Sequence, residues 1–219
     1  MIGDIAHVCN RGVDKRKIFN NRENYERFRD NLFLLNNIKG KIRTKRKDIF
    51  EQRIKLPDRN KLVEILKWSL MPNHFHLLLY EKVNGGILEF TKRLGNAYTK
   101  YFNLKVGERS GYLFQNSAKI ITIGDEKHFP YLPIYIDLNA GDLVSGDVGK
   151  KMKFLKTYEW SSLKNYYGDK EDIEIINPEL FYEIFGTSLP NYEKDLEGFL
   201  KDRERLENEL YLKGVNLAG

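Results

Sequence analysis

Cysteine is nearly missing from this chain, with Cys9 alone among 219 residues. An intrachain disulfide framework is therefore excluded, and so is a zinc site built from several thiolates. Histidine is scarce too. His7, His74, His76 and His128 are the full set, and no two of them stand at the i, i+4 spacing of a helical metal motif. No apolar run approaches the ~20 residues that cross a bilayer, and Met1–His7 lacks a basic region followed by an apolar one. These absences predict a soluble cytoplasmic chain. The length is too short for a (β/α)₈ barrel with loops and suits one core of ~150 residues plus an extension. No internal repeat or low-complexity tract is present.

Charge is present but unevenly placed. Residues 1–169 carry 31 lysines and arginines against 19 acidic residues, a net +12, whereas residues 170–219 carry 6 against 12, a net −6. The basic part is the expected polyanion binder. Its densest run is Lys39–Lys47, which includes Lys45, Arg46 and Lys47 and is followed by Arg53, Lys55, Arg59 and Lys61. A solvated loop has the same composition. Beside a metal site, however, such a run supplies the phosphate attraction that dominates nucleic-acid affinity. It lacks the apolar face of a membrane-surface helix.

Periodicity predicts a short strand at Ile5–Cys9, ended by the turn signal Asn10-Arg11-Gly12, and a helix at Arg22–Asn36 with Tyr25, Phe28, Leu32 and Leu35 on one stripe. A basic loop over about 40–60 follows. Lys61–Leu70 suits a second strand, although the pattern alone also allows a helix; Met71-Pro72-Asn73 is a tight connection to a third strand at His74–Tyr80. Asn84-Gly85-Gly86 breaks the chain before a helix at Ile87–Leu104, and Lys119–Ile123 is a β-branched fourth strand. This order predicts an α+β fold, the ferredoxin-like split βαβ sandwich with an antiparallel sheet. Pro130 and Pro133 place the next helix start near Leu132 or Pro133. Beyond Trp160 the chain is acidic and periodic, so we expect a domain at 1–160 and a mainly helical C-terminal extension at 161–219.

Two residue patterns carry chemistry. His74-Phe75-His76 on a strand sends both imidazoles to one face, roughly 6 to 7 Å apart along the chain, with Phe75 and Leu77 in the apolar layer behind. That is half a metal site, and it is equally compatible with a solvated histidine pair. Tyr135 and Asn139 lie four apart on the predicted helix and share a face, as does the rival Tyr131. A tyrosine offers a nucleophile and an asparagine an amide oxygen.

Taken together, His7-Val-Cys-Asn-Arg-Gly12, Trp68 to Leu79 around His-Phe-His, Asn96 to Asn103, Gly111-Tyr-Leu-Phe-Gln115, Tyr135-Ile-Asp-Leu-Asn139 and Tyr158-Glu-Trp-Ser-Ser162 resemble the HUH single-tyrosine transposases, in particular the REP-associated tyrosine transposases and those of simple insertion sequences. The resemblance implies that His74, His76 and Asn139 hold Mg²⁺ or Mn²⁺ and that Tyr135 is the nucleophile. The implied substrate is single-stranded DNA carrying a hairpin, cut through a 5′-phosphotyrosyl link and rejoined by a 3′-hydroxyl. Arg11, Lys15, Arg16, Lys17, Lys45, Arg46 and Lys47 are the phosphate-binding candidates, and Tyr112 and Phe114 are candidates to stack on bases, with ordinary core packing at least an equal alternative for Phe114. The implied setting is cytoplasmic and nucleoid-associated, as monomer or homodimer. Two residues depart from the pattern: Asp137 stands where many relatives have histidine, and Ala140 where they commonly have proline. Those departures keep a second reading open, a domesticated hairpin-DNA binder without cleavage. The histidine pair alone keeps a third, a metal-dependent hydrolase using activated water.

Overall fold

The computed structural model describes residues 1–43, 59–106, 111–123 and 130–202. Four strands among them form one antiparallel sheet: β1 (Ile5–Arg11), β2 (Val63–Met71), β3 (His74–Glu81) and β4 (Lys119–Ile123), in spatial order β2-β3-β1-β4. Helix α1 (Arg22–Leu34) connects β1 to β2, and α2 (Gly86–Val106) connects β3 to β4. This is the expected α+β sandwich, with the histidine strand β3 inside the sheet. Phe75 on β3 meets Phe28 of α1 at 4.8 Å, and Phe28 meets Tyr98 of α2 at 5.1 Å, so both helices cover the side of the sheet that the histidines leave. Each fully buried aromatic or leucine there contributes about 1.5–3 kcal/mol.

Local chemistry sets the element ends. The Asn21 side chain accepts from the Asn24 N–H and starts α1, which stops at Leu34, two residues before the expected Asn36. Asn36 is needed elsewhere: it lies buried, accepts from the N–H groups of Leu62 and Val63, and donates to the Val63 carbonyl, fixing the entry to β2. Strand β1 runs two residues beyond its expected end, because Asn10 and Arg11 still find partners opposite Phe75 and His74. The turn proper begins at Gly12, where a Cβ would stand 2.3 Å from the Arg16 carbonyl oxygen.

Strand β2 is buried along its whole length, with helices on both sides. Its ladder with β3 slips between Ile65 and Lys67, a bulge at Leu66. Past the bulge Lys67 stands opposite Leu78, Ser69 opposite His76 and Met71 opposite His74, so Lys67 shares the histidine face. Three further helices complete that face and the outer edge of β2: α3 (Tyr131–Leu138), α4 (Val148–Thr157) and the one-turn α5 (Leu163–Tyr166). Helix α3 begins one or two residues earlier than expected. Pro133 is its third residue, where a missing N–H leaves no helical bond broken.

The acidic C-terminal part is helical, with α6 (Pro178–Phe185) and α7 (Leu189–Lys201). It also extends the sheet edge, since Leu70 N–H donates to the Trp160 carbonyl, Ser162 N–H to that of Trp68, and Asn177 N–H to that of Ile65. Its most buried polar contact reaches α3. Asp137 and Lys67 are both fully buried and pair at 2.7 Å; the Tyr192 hydroxyl of α7 donates to the same carboxylate oxygen at 2.7 Å. The Lys67 ammonium lies over the rings of Tyr166, Tyr192 and Phe181 at 3.8, 4.3 and 4.8 Å. No helix among the described residues is long and apolar enough to cross a membrane.

Candidate metal and nucleophile site

Strand register decides which side chains share the face under α3. Cys9 stands opposite His76 on one side and Lys119 on the other; Arg11 stands opposite His74, and His7 opposite Leu78. Because alternate residues share a face, His7, Cys9, Arg11, His74, His76 and Lys119 all point the same way. The ring centroids of His74 and His76 are 5.0 Å apart and nearly perpendicular. Tyr135 of α3 presents its ring edge-on to His76 at 5.7 Å and to His7 at 6.5 Å. A cavity of about 280 Å³ is bounded by Cys9, Arg11, His74, His76, Lys119 and Tyr135, with Gln115–Ser117 on its rim.

Asn139 follows α3 and is buried. Its Nδ2 donates to the Tyr135 carbonyl at 2.7 Å, which orients the amide, and it is a hydrogen-bonding neighbour of His74. His74 Nδ1 is 2.7 Å from Asn73 Oδ1, while the Asn73 Nδ2 donates to the Lys15 carbonyl. The Asn73 oxygen can only accept, so His74 carries its proton on Nδ1 and a lone pair on Nε2. Burial, and secondly the charge of Arg11, lowers the His74 pKa to about 4 from 6.5, against the opposing pull of Asn139 and Asp142. Burial first, then Lys119, lowers His7 to about 3; burial, then His7, His74 and Arg11, holds His76 well below the ordinary range. Neutral imidazoles are the form that binds a cation.

The donor set fits a divalent ion. A neutral His74 has one proton for two amide neighbours, and the buried Nε2 of His76 has no hydrogen-bond partner among the described residues. A cation reached by those two nitrogens and the Asn139 oxygen would satisfy groups that the protein alone leaves short. Two nitrogens and one oxygen suit Mg²⁺ or Mn²⁺, although zinc and copper bind imidazole more tightly.

The structure thus brings Tyr135, His74, His76, Asn139 and Arg11 to one place. Tyr131 is elsewhere: it packs edge-on against Phe199 of α7 at 5.1 Å and lines a different cavity with Lys194 and Asp195. Lys15 and Lys17 are exposed on the segment after β1 and do not line the cavity, and Arg16 is tied to the Val13 carbonyl and to Asp14. Tyr112 is 86% exposed, whereas Phe114 is buried at 8% and meets Phe75, so the expected stacking role of Phe114 gives way to core packing. Lys45, Arg46 and Lys47 lie outside the described residues. His7 was missed as part of the site, and Lys119 with it. The available signal was the His7-Val8-Cys9 alternation, which repeats on β1 the spacing of His74 and His76.

Residues 33–139 match the family model described as "Transposase IS200 like". That span ends at Asn139 and contains His74, His76 and Tyr135. Among solved structures, one of a REP-associated tyrosine transposase bound to a REP hairpin is similar at 13% identity with a TM-score of 0.44, covering 80% of this chain and 84% of that one. No curated protein matches the chain.

Proposed function

We propose that this chain, whose residues 33–139 match the model of IS200-like transposases, cuts and rejoins single-stranded, hairpin-bearing DNA through Tyr135, with Mg²⁺ or Mn²⁺ held by His74, His76 and Asn139. The observation that carries this reading is the placement of Tyr135 edge-on to His76 at the wall of a cavity that also holds Arg11 and Lys119. A bound divalent ion would offset charge on the scissile phosphate and orient it. Arg11 and Lys119 would attract the same phosphate. The Tyr135 oxygen then attacks phosphorus as the bond to the 3′ oxygen breaks. The phenol proton passes to solvent and the departing alkoxide takes one up, leaving a free 3′-hydroxyl and a 5′-phosphotyrosyl link. Since that link is itself a phosphodiester, attack by another 3′-hydroxyl reverses the step and joins strands without ATP.

The departure at Asp137 does not favour a domesticated binder, because its carboxylate has a structural role with Lys67 and Tyr192. A water-activating hydrolase would have no use for the tyrosine against the histidines. The decisive experiment incubates the protein with labelled hairpin-bearing single-stranded DNA and Mn²⁺ and looks for an adduct that survives denaturation. Wild type and Tyr131→Phe should give it; Tyr135→Phe should not, while still binding DNA. Cleavage by Tyr135→Phe would support the hydrolase, and no wild-type adduct across several hairpins and both ions would support the binder.

A further inference from the structure

His7 is fully buried, 69 residues from His76 in sequence, and its Nε2 is 2.8 Å from His76 Nδ1 with the two rings within 10° of coplanar. The separation is that of a good hydrogen bond, and the coplanarity aims the nitrogens at one another. Two proton arrangements share these heavy-atom positions. In one, His7 donates from Nε2, so a neutral His76 carries its proton on Nε2 and has no lone pair for a cation. In the other, His76 donates from Nδ1 and its Nε2, which has no partner among the described residues, carries the lone pair. The neighbouring histidine already shows the second pattern: the Asn73 oxygen holds His74 by Nδ1 and leaves Nε2 bare.

We infer that His7 is the positioning residue for His76, accepting a hydrogen bond from His76 Nδ1 and so holding its Nε2 as a cation ligand. This rests on the reading of His74, His76 and Asn139 as the ion site. The two ligating imidazoles thereby receive equivalent support, an amide oxygen from the preceding turn for one and a buried imidazole from β1 for the other. Register makes it possible: β1 and β3 are adjacent, and His7 lies on the same face as Cys9, the residue opposite His76. A ligating histidine whose other nitrogen loses its partner typically loses 10- to 100-fold in metal affinity.

The test measures Mn²⁺ dissociation constants by electron paramagnetic resonance for wild type, His7→Gln, His7→Leu and His76→Ala. A glutamine oxygen can still accept from Nδ1, so His7→Gln should stay within about threefold of wild type, while His7→Leu should weaken binding about 10- to 100-fold. Nitrogen-15 spectra of wild type with diamagnetic Mg²⁺ should show His76 as the Nδ1–H tautomer, an observation that does not depend on the leucine variant folding. A His76 proton on Nε2 with Mg²⁺ bound, or a folded His7→Leu protein with wild-type Mn²⁺ affinity, would overturn the inference alone. Wild type without Mn²⁺ affinity, or His76→Ala with unchanged affinity, would remove the ion site and this inference together.

Discussion

Breaking the ion pair of Lys67 and Asp137 should unfold the protein far more readily than replacing it. Both side chains are fully buried, 2.7 Å apart, and the carboxylate has one further donor in Tyr192. Lys67→Met strands a carboxylate whose remaining described partner is a phenol, and a buried charge left this way costs about 3–5 kcal/mol. Asp137→Asn strands the ammonium instead, but Tyr166, Tyr192 and Phe181 still surround it within 4.8 Å. Desolvated cation–π contacts of about 2 kcal/mol would offset part of that loss, so this variant should fall less, by about 1–3 kcal/mol. The double variant Lys67→Met, Asp137→Val removes both charges with little change in volume; it should recover to within about 2 kcal/mol of wild type, the remainder being the unpaired Tyr192 hydroxyl. Urea unfolding followed by far-ultraviolet circular dichroism measures all four proteins. At a slope of about 3 kcal/mol per molar, Lys67→Met should lower the midpoint by at least 1 M. If the double variant is destabilised by the sum of the two single ones, the pair is not coupled and the reasoning from burial fails.

Two other outcomes are expected. Stability of the metal-free protein should fall between pH 7 and pH 5: His7 titrates at about 3 when folded and 6.5 otherwise, so the unfolded chain binds a proton that the fold refuses. That difference amounts to about 2 kcal/mol at pH 5, with His74 and His76 acting in the same direction, and equal urea midpoints at the two pH values would refute it. Replacing Lys45, Arg46 and Lys47 by alanine should weaken single-stranded DNA binding and flatten its salt dependence by up to about one unit of slope for each phosphate no longer neutralised; unchanged affinity across a salt series would assign the run to solvent.

The sandwich was legible because its signals are local. Alternation marked β1 and β3, the three-and-four spacing of Ile87, Phe90, Leu94, Tyr98 and Phe102 marked α2, and the order of elements left one common topology. Element ends were less legible, since Asn36 ends α1 by serving β2 and Arg11 extends β1 only because His74 stands opposite. The His74 and His76 pair announced itself by spacing, whereas the His7 contact could not, because nothing local joins residues 69 apart. Asp137 looked like an anomaly in a motif. Its partner, Lys67, sits in a strand whose alternation is interrupted at Leu66, so no local pattern turns that lysine toward α3.

The same interruption makes β2 a counting device. Before Leu66 one parity of residue number faces the histidine side, and after it the other does. Deleting Leu66 would leave a regular ladder with the same pairs, Ile65 with Leu79 and Lys67 with Leu78, and both halves would keep their faces; deleting one residue elsewhere, Trp68 for example, would instead turn one part of the strand over. Single-residue length changes in β2 should therefore be tolerated at Leu66 and nowhere else in the strand, a restriction that bears on the spacing of this motif as strictly as chemistry bears on its histidines.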